Sequence, residues 1–157
     1  MSGDLRLLNR QRTRPVDLRL LRRMLNHVLA TSLAEREFDL TIHLVNAAEM
    51  TRLNETHLQH AGPTDVITLD YSAAAPGTPL AGDIFVCVDE AVAQARRFRA
   101  AWQSELLRYI IHGALHLEGH DDLRPAARQR MKREENRRLR QLARGFNLSK
   151  LRRKTRV

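Results

Sequence analysis

The stretch IIHGALHLEGHDD, Ile110 to Asp122, holds two histidines four residues apart, then a glycine, a third histidine and two adjacent aspartates. Upstream of and within it, Leu106, Leu107, Ile110, Ile111, Ala114 and Leu115 recur at helical spacing. The segment starting at Ser104 therefore reads as a largely buried, central helix, and Gly119 is its natural stop. Residues four apart differ by only about 40° around a helix axis. His112 and His116 thus leave one face and can reach one ion at the roughly 2.0–2.1 Å of a zinc–nitrogen bond. A third ligand must come from beyond the stop, where His120, Asp121 and Asp122 stand. Gly113 sits where a zinc peptidase helix carries its catalytic glutamate, which disfavours that class.

Around this helix the chain alternates. LRLL near the start reads as an edge strand, and Leu18, Leu21, Leu25, Val28, Leu29 and Ser32 mark a helix. FDLTIHLVN puts Phe38, Leu40, Ile42 and Leu44 on one face, the pattern of a half-buried strand. Asn46 and Glu49 form a capping-box start for a helix to about Thr56. TDVITLDY and DIFVCV are strands, separated by the Pro/Gly loop SAAAPGTPLAG. Asp89 is placed to cap the next helix, and Pro125 opens a last Arg-rich helix to about Arg144. The order β-α-β-α-β-β-α-α-α predicts a single α+β domain over residues 1–144. It has a small mixed sheet of about four strands and about five helices, with a metal site at the end of a central helix. Residues 145–157 are expected to form a basic, mobile tail.

Charge is segregated. The whole chain carries +9, but Leu123 to Val157 has fourteen Lys/Arg against two Glu, and residues 1–23 have seven Arg against two Asp. The middle is net acidic. Basic ends around an acidic centre suit a polyanion held at the periphery and a cation held within. Lys150, Arg152, Arg153, Lys154 and Arg156 are the residues of the tail expected to contact RNA or DNA. A single cysteine, Cys87, forms no intramolecular bridge, reads as a buried small hydrophobe and implies no disulfide-linked partner. No run has the length of a membrane span, so a cytoplasmic protein without membrane contact is expected.

Three blocks now line up with one family. HGALHLEGHDD resembles the histidine motif of the YbeY family of bacterial rRNA maturation factors. LNETHLQHAGPTDVIT resembles its Leu-Asn…Pro-Thr-Asp-Val block, and AGDIFVCVDEA its Gly-Asp-Ile strand. The resemblance implies a metal-dependent, single-strand-specific endoribonuclease that trims and quality-controls ribosomal RNA, above all the small-subunit 3′ end. Its partners would be ribosomal RNA and the small ribosomal subunit, and its cofactor one zinc ion per chain. A metal-activated water would attack the phosphodiester, so the peptidase glutamate is unnecessary. The alternative is a ribosome-assembly RNA-binding factor whose metal is structural.

The chain departs from the family pattern twice. The family's third ligand is usually a histidine six residues after the second; here that position is Asp122, which makes a His₂-carboxylate set, with His120 as the alternative ligand. The family often has an arginine where this chain has Leu58, and His57, His60 and His120 are possible auxiliaries. Thr64 and Asp65 match the second block, though such a pair at a strand start is also an ordinary turn. Asp83 and Asp121 are expected to orient ligands from behind, the former by the resemblance of its strand.

Overall fold

The computed structural model describes residues 3–33, 36–58, 64–72 and 77–154. The side chains of His57 and Leu58, and the whole of His60 and Arg156, lie outside the described residues. Elements follow the predicted order: β1 (Gly3–Asn9), α1 (Leu18–Leu33), β2 (Phe38–Val45), α2 (Ala47–Leu53), β3 (Val66–Asp70), β4 (Leu80–Cys87), α3 (Val88–Arg97), α4 (Trp102–Leu117) and α5 (Pro125–Gly145). A π turn, Asn54–Leu58, prolongs α2, and a 3₁₀ turn, Leu148–Leu151, follows α5. The fold is α+β with one four-stranded mixed sheet in the order β1-β2-β4-β3. β1, β2 and β4 run parallel, and β3 is antiparallel to β4.

The two faces of the sheet are unequal. Leu40, Ile42, Ile84 and Val86 join the main core with α1, α4 and α5, while Val45, Phe85 and Cys87 meet Met50 of α2 in a smaller cluster. This second cluster is why β2 is not half-buried as its alternation suggests. β2 lies between β1 and β4, and α2 covers part of its other face, so Thr41, His43 and Val45 are buried too. Cys87 is fully buried as expected, and burial pushes its thiol up to about 11.

Local signals place helix ends well where the chain meets only itself. Asp17 caps α1 through the Leu20 amide at 3.0 Å, and Pro125 occupies the first turn of α5. Asn46 caps α2 through the Glu49 amide at 2.9 Å, but the Glu49 carboxylate pairs with Arg10 at 3.0 Å and leaves the box half made. Asp89 does not cap its own helix. Its carboxylate accepts from the Ala47 amide at 2.6 Å and from the Thr13 hydroxyl, tying the starts of α2 and α3 together. Nor does Ser104 start α4: the Glu105 amide already bonds the Ala101 carbonyl at 3.2 Å, so the helix begins at Trp102. β4 begins at Leu80, inside the expected loop, because Leu80 to Gly82 pair with Phe38 to Leu40.

The expected mobile tail is docked through Lys154. Leu151 is fully buried, the Asp17 amide bonds its carbonyl at 2.8 Å, and the Arg153 amide bonds the Pro15 carbonyl at 2.8 Å. The apolar residues Phe146, Leu148 and Leu151 outweigh the charge pattern, because they give the segment core surface to bury. Lys150, Arg152, Arg153 and Lys154 are exposed on this anchored segment.

Candidate metal centre

α4 lies against the sheet so closely that no side chain fits at Gly113. A Cβ there would stand 2.6 Å from Ile84 Cγ2 and 3.2 Å from Val66 Cγ1. The glycine therefore sets the depth of the helix, and a glutamate at this position would point into the core. His112 and His116 leave a different face and are half-buried. The helix then closes in a Schellman motif: the His120 amide bonds the Leu115 carbonyl and the Gly119 amide bonds the His116 carbonyl, both at 3.0 Å. Gly119 has φ +101°, a conformation that an L side chain resists. The reversal carries Asp122 back over the two imidazoles.

The three groups converge. His112 Nε2 and His116 Nε2 are 3.1 Å apart, and Asp122 Oδ2 lies 3.7 Å from the first and 3.4 Å from the second. Donors bound tetrahedrally to one ion at zinc distances sit about 3.3–3.6 Å from each other. The observed spacings bracket that value, and two imidazoles with one carboxylate are a donor set that zinc accepts. The residues fit a metal ion. Among the described residues, His112, His116 and Asp122 are the group that could hold one, and no such group includes His120.

Behind His112 stands a residue the sequence reading missed. Glu135 of α5, buried, accepts from His112 Nδ1 at 3.0 Å and from Arg108 Nη1 at 2.7 Å. A carboxylate can only accept, so Nδ1 carries the proton and Nε2 turns its lone pair to the site. Hydrogen bonding to Glu135 raises the His112 pKa, against the opposing effect of burial. Burial pushes the Glu135 carboxyl up, but the bonds from His112 and Arg108 outweigh it and hold it below its ordinary value. Glu135 was detectable in principle, as an acid between Met131 and Leu139 on the apolar stripe of a basic helix. Glu135→Gln should weaken zinc binding by about 10–100-fold, the usual effect of losing such a partner. A competition titration against a zinc-sensitive dye reads this, and an unchanged affinity would remove Glu135 from the site.

The two residues expected behind the ligands are elsewhere. Asp83 lies on the sheet face away from α4, where its carboxylate meets His43 Nε2 at 3.0 Å and the Tyr71 hydroxyl at 2.9 Å. Strand alternation decides this: Gly82 and Ile84, its neighbours, face α4, so Asp83 cannot. Asp121 is exposed and accepts from the Leu123 amide at 2.8 Å, shaping the loop without orienting an imidazole. Asp65 likewise holds the start of β3, through the Val66 amide at 2.8 Å. Arg128 of α5 donates to the Asp122 carbonyl at 3.2 Å and brings a guanidinium to the edge of the site.

Comparison with known proteins agrees with the three sequence blocks. The family model described as Endoribonuclease YbeY matches residues 6–143. A protein named Endoribonuclease YbeY from Salinibacter ruber is 32% identical over 133 residues, 79% of this chain and 82% of that protein. One of the same name from Bacteroides thetaiotaomicron is 37% identical over 111 residues, 71% and 79% of the two chains. The solution structure of TM1509 from Thermotoga maritima superposes with a TM-score of 0.64 at 24% identity, over 88% of each chain, and so shares the fold. With α4, nearly all of the sheet and most of its length inside that match, the chain belongs to the endoribonuclease YbeY family.

Proposed function

We propose that this chain is a zinc-dependent endoribonuclease that cleaves single-stranded ribosomal RNA, acting in the cytoplasm on the small-subunit 3′ end and in ribosome quality control. One observation carries the catalytic reading. The three donor side chains all reach solvent, at 29%, 29% and 38% exposure, and no fourth donor joins them among the described residues. Structural zinc sites are closed by four protein ligands, whereas catalytic ones keep a position open.

His112, His116 and Asp122 would hold the ion, and Glu135 with Arg108 would keep the His112 ring in the ligating tautomer. When bound, the ion supplies a Lewis acid for a phosphoryl oxygen and lowers the pKa of water. Arg128, fixed on the Asp122 carbonyl, offers a cation where charge grows on the phosphate. That is the kind of group a leucine at position 58 cannot supply.

The test is cleavage of a single-stranded RNA by the purified chain. Activity should vanish with a chelator and return with zinc. Cleavage that survives the chelator would remove the metal from the reaction. Zinc bound at one ion per chain without any cleavage would favour an assembly factor with a structural metal.

A further inference from the structure

The two basic ends of the chain, far apart in sequence, are joined in the fold. Val16 bridges to Arg152, and the flanking backbone bonds of Asp17 and Arg153 lock the segment before α1 against the segment after α5. Between them runs a groove of about 490 Å³ lined by Arg12, Arg14, Arg19 and Arg153. Asp17 is the one acid among its lining residues, and its carboxylate is engaged by the Leu20 amide. Arg19 also lines the adjoining groove, which Arg22 and Arg23 continue along α1. Six arginines thus follow one another along the surface. Their mutual repulsion is unfavourable unless a polyanion lies among them.

The position of the groove separates it from the metal centre. The 3₁₀ turn that carries the tail is held to the start of α4, where the Gln103 amide nitrogen donates to the Ser149 carbonyl at 3.3 Å. His116 lies thirteen residues further along that helix, about 20 Å at 1.5 Å per residue. The family match ends at residue 143, so Arg153 and the segment that closes the groove lie beyond it.

We infer that the joined ends form a phosphate-binding track that holds the RNA backbone away from the cleavage site, a reading that rests on the endoribonuclease proposal for its ligand. Arginine forks pair with phosphate oxygens without reading bases, so the track positions a strand and does not select its sequence.

The test measures binding, not turnover. A fluorescent 20-nucleotide single-stranded DNA carries the same phosphates and gives an endoribonuclease nothing to cut. Its affinity for the full chain is followed by anisotropy as salt is raised. Each phosphate contact on a single strand contributes about 0.7 to the slope of log affinity against log salt. Arg12→Ser with Arg153→Ser should therefore lower the slope by about 1.4. Both side chains are exposed, so the melting temperature should not move. Arg12→Lys with Arg153→Lys should keep the slope. Arg96→Ser with Arg97→Ser, which removes the same charge from α3, should leave it unchanged. An equal fall in the α3 pair, no fall in the groove pair, or a wild-type chain that does not bind the strand would each overturn the assignment. Failure of the chelator experiment would leave this binding result standing, so the two readings fail separately.

Discussion

Asp122→Ala should empty the metal site and abolish cleavage together. Asp122 would supply one of three donors, and its Oδ2 lies within 3.7 Å of both imidazole nitrogens. Loss of a group that only orients a ligand costs about 10–100-fold in metal affinity, so loss of a direct ligand should exceed the upper end of that range. Asp122→His should keep zinc, because an imidazole is as good a donor at the same place in the loop. His120→Ala should retain the metal. His120 follows the left-handed Gly119, and its backbone amide is committed to closing α4. Metal content per chain by atomic absorption, measured beside cleavage of a single-stranded RNA, separates these cases. A full site in Asp122→Ala and an empty one in His120→Ala would reverse the assignment.

Arg138→Met should destabilise the protein by about 3–5 kcal/mol, the cost of leaving one partner of a buried ion pair alone. Arg138 is 3% exposed. Its two terminal nitrogens each bond a Glu118 oxygen at 2.7 Å, and its Nε reaches Glu134 at 3.1 Å. This fork clamps the last turn of α4, just past His116, onto α5, the helix that carries Glu135. For a chain of this size the loss corresponds to a drop in melting temperature of roughly 10 °C. The double variant Arg138→Met with Glu118→Leu should recover much of it, since it removes the stranded carboxylate along with its partner. Urea unfolding of both variants gives the comparison. A single variant within 1 kcal/mol of wild type would mean that the fork does not hold the two helices.

What the sequence determined by itself was whatever one turn of helix or one strand repeat can fix. The four-residue spacing placed His112 and His116 on one face, Gly119 ended the helix, and Asn46 and Pro125 marked helix starts. Each of these depends on neighbours within a few residues, so backbone geometry alone decides it. Tertiary structure decided the rest. Glu135 stands 23 residues from His112, and only the packing of α5 on α4 brings them to 3.0 Å. Asp83 was assigned to the metal because it sits in a matching block; which sheet face α4 covers then put it on the wrong side. The tail read as mobile from its place at the end of the sequence, yet Leu151 is buried by surfaces of α1 and α4 that no local pattern reveals. The third donor was open between His120 and Asp122 for the same reason. Its choice depends on where the chain travels after a left-handed glycine, and the packing of distant elements settles that direction.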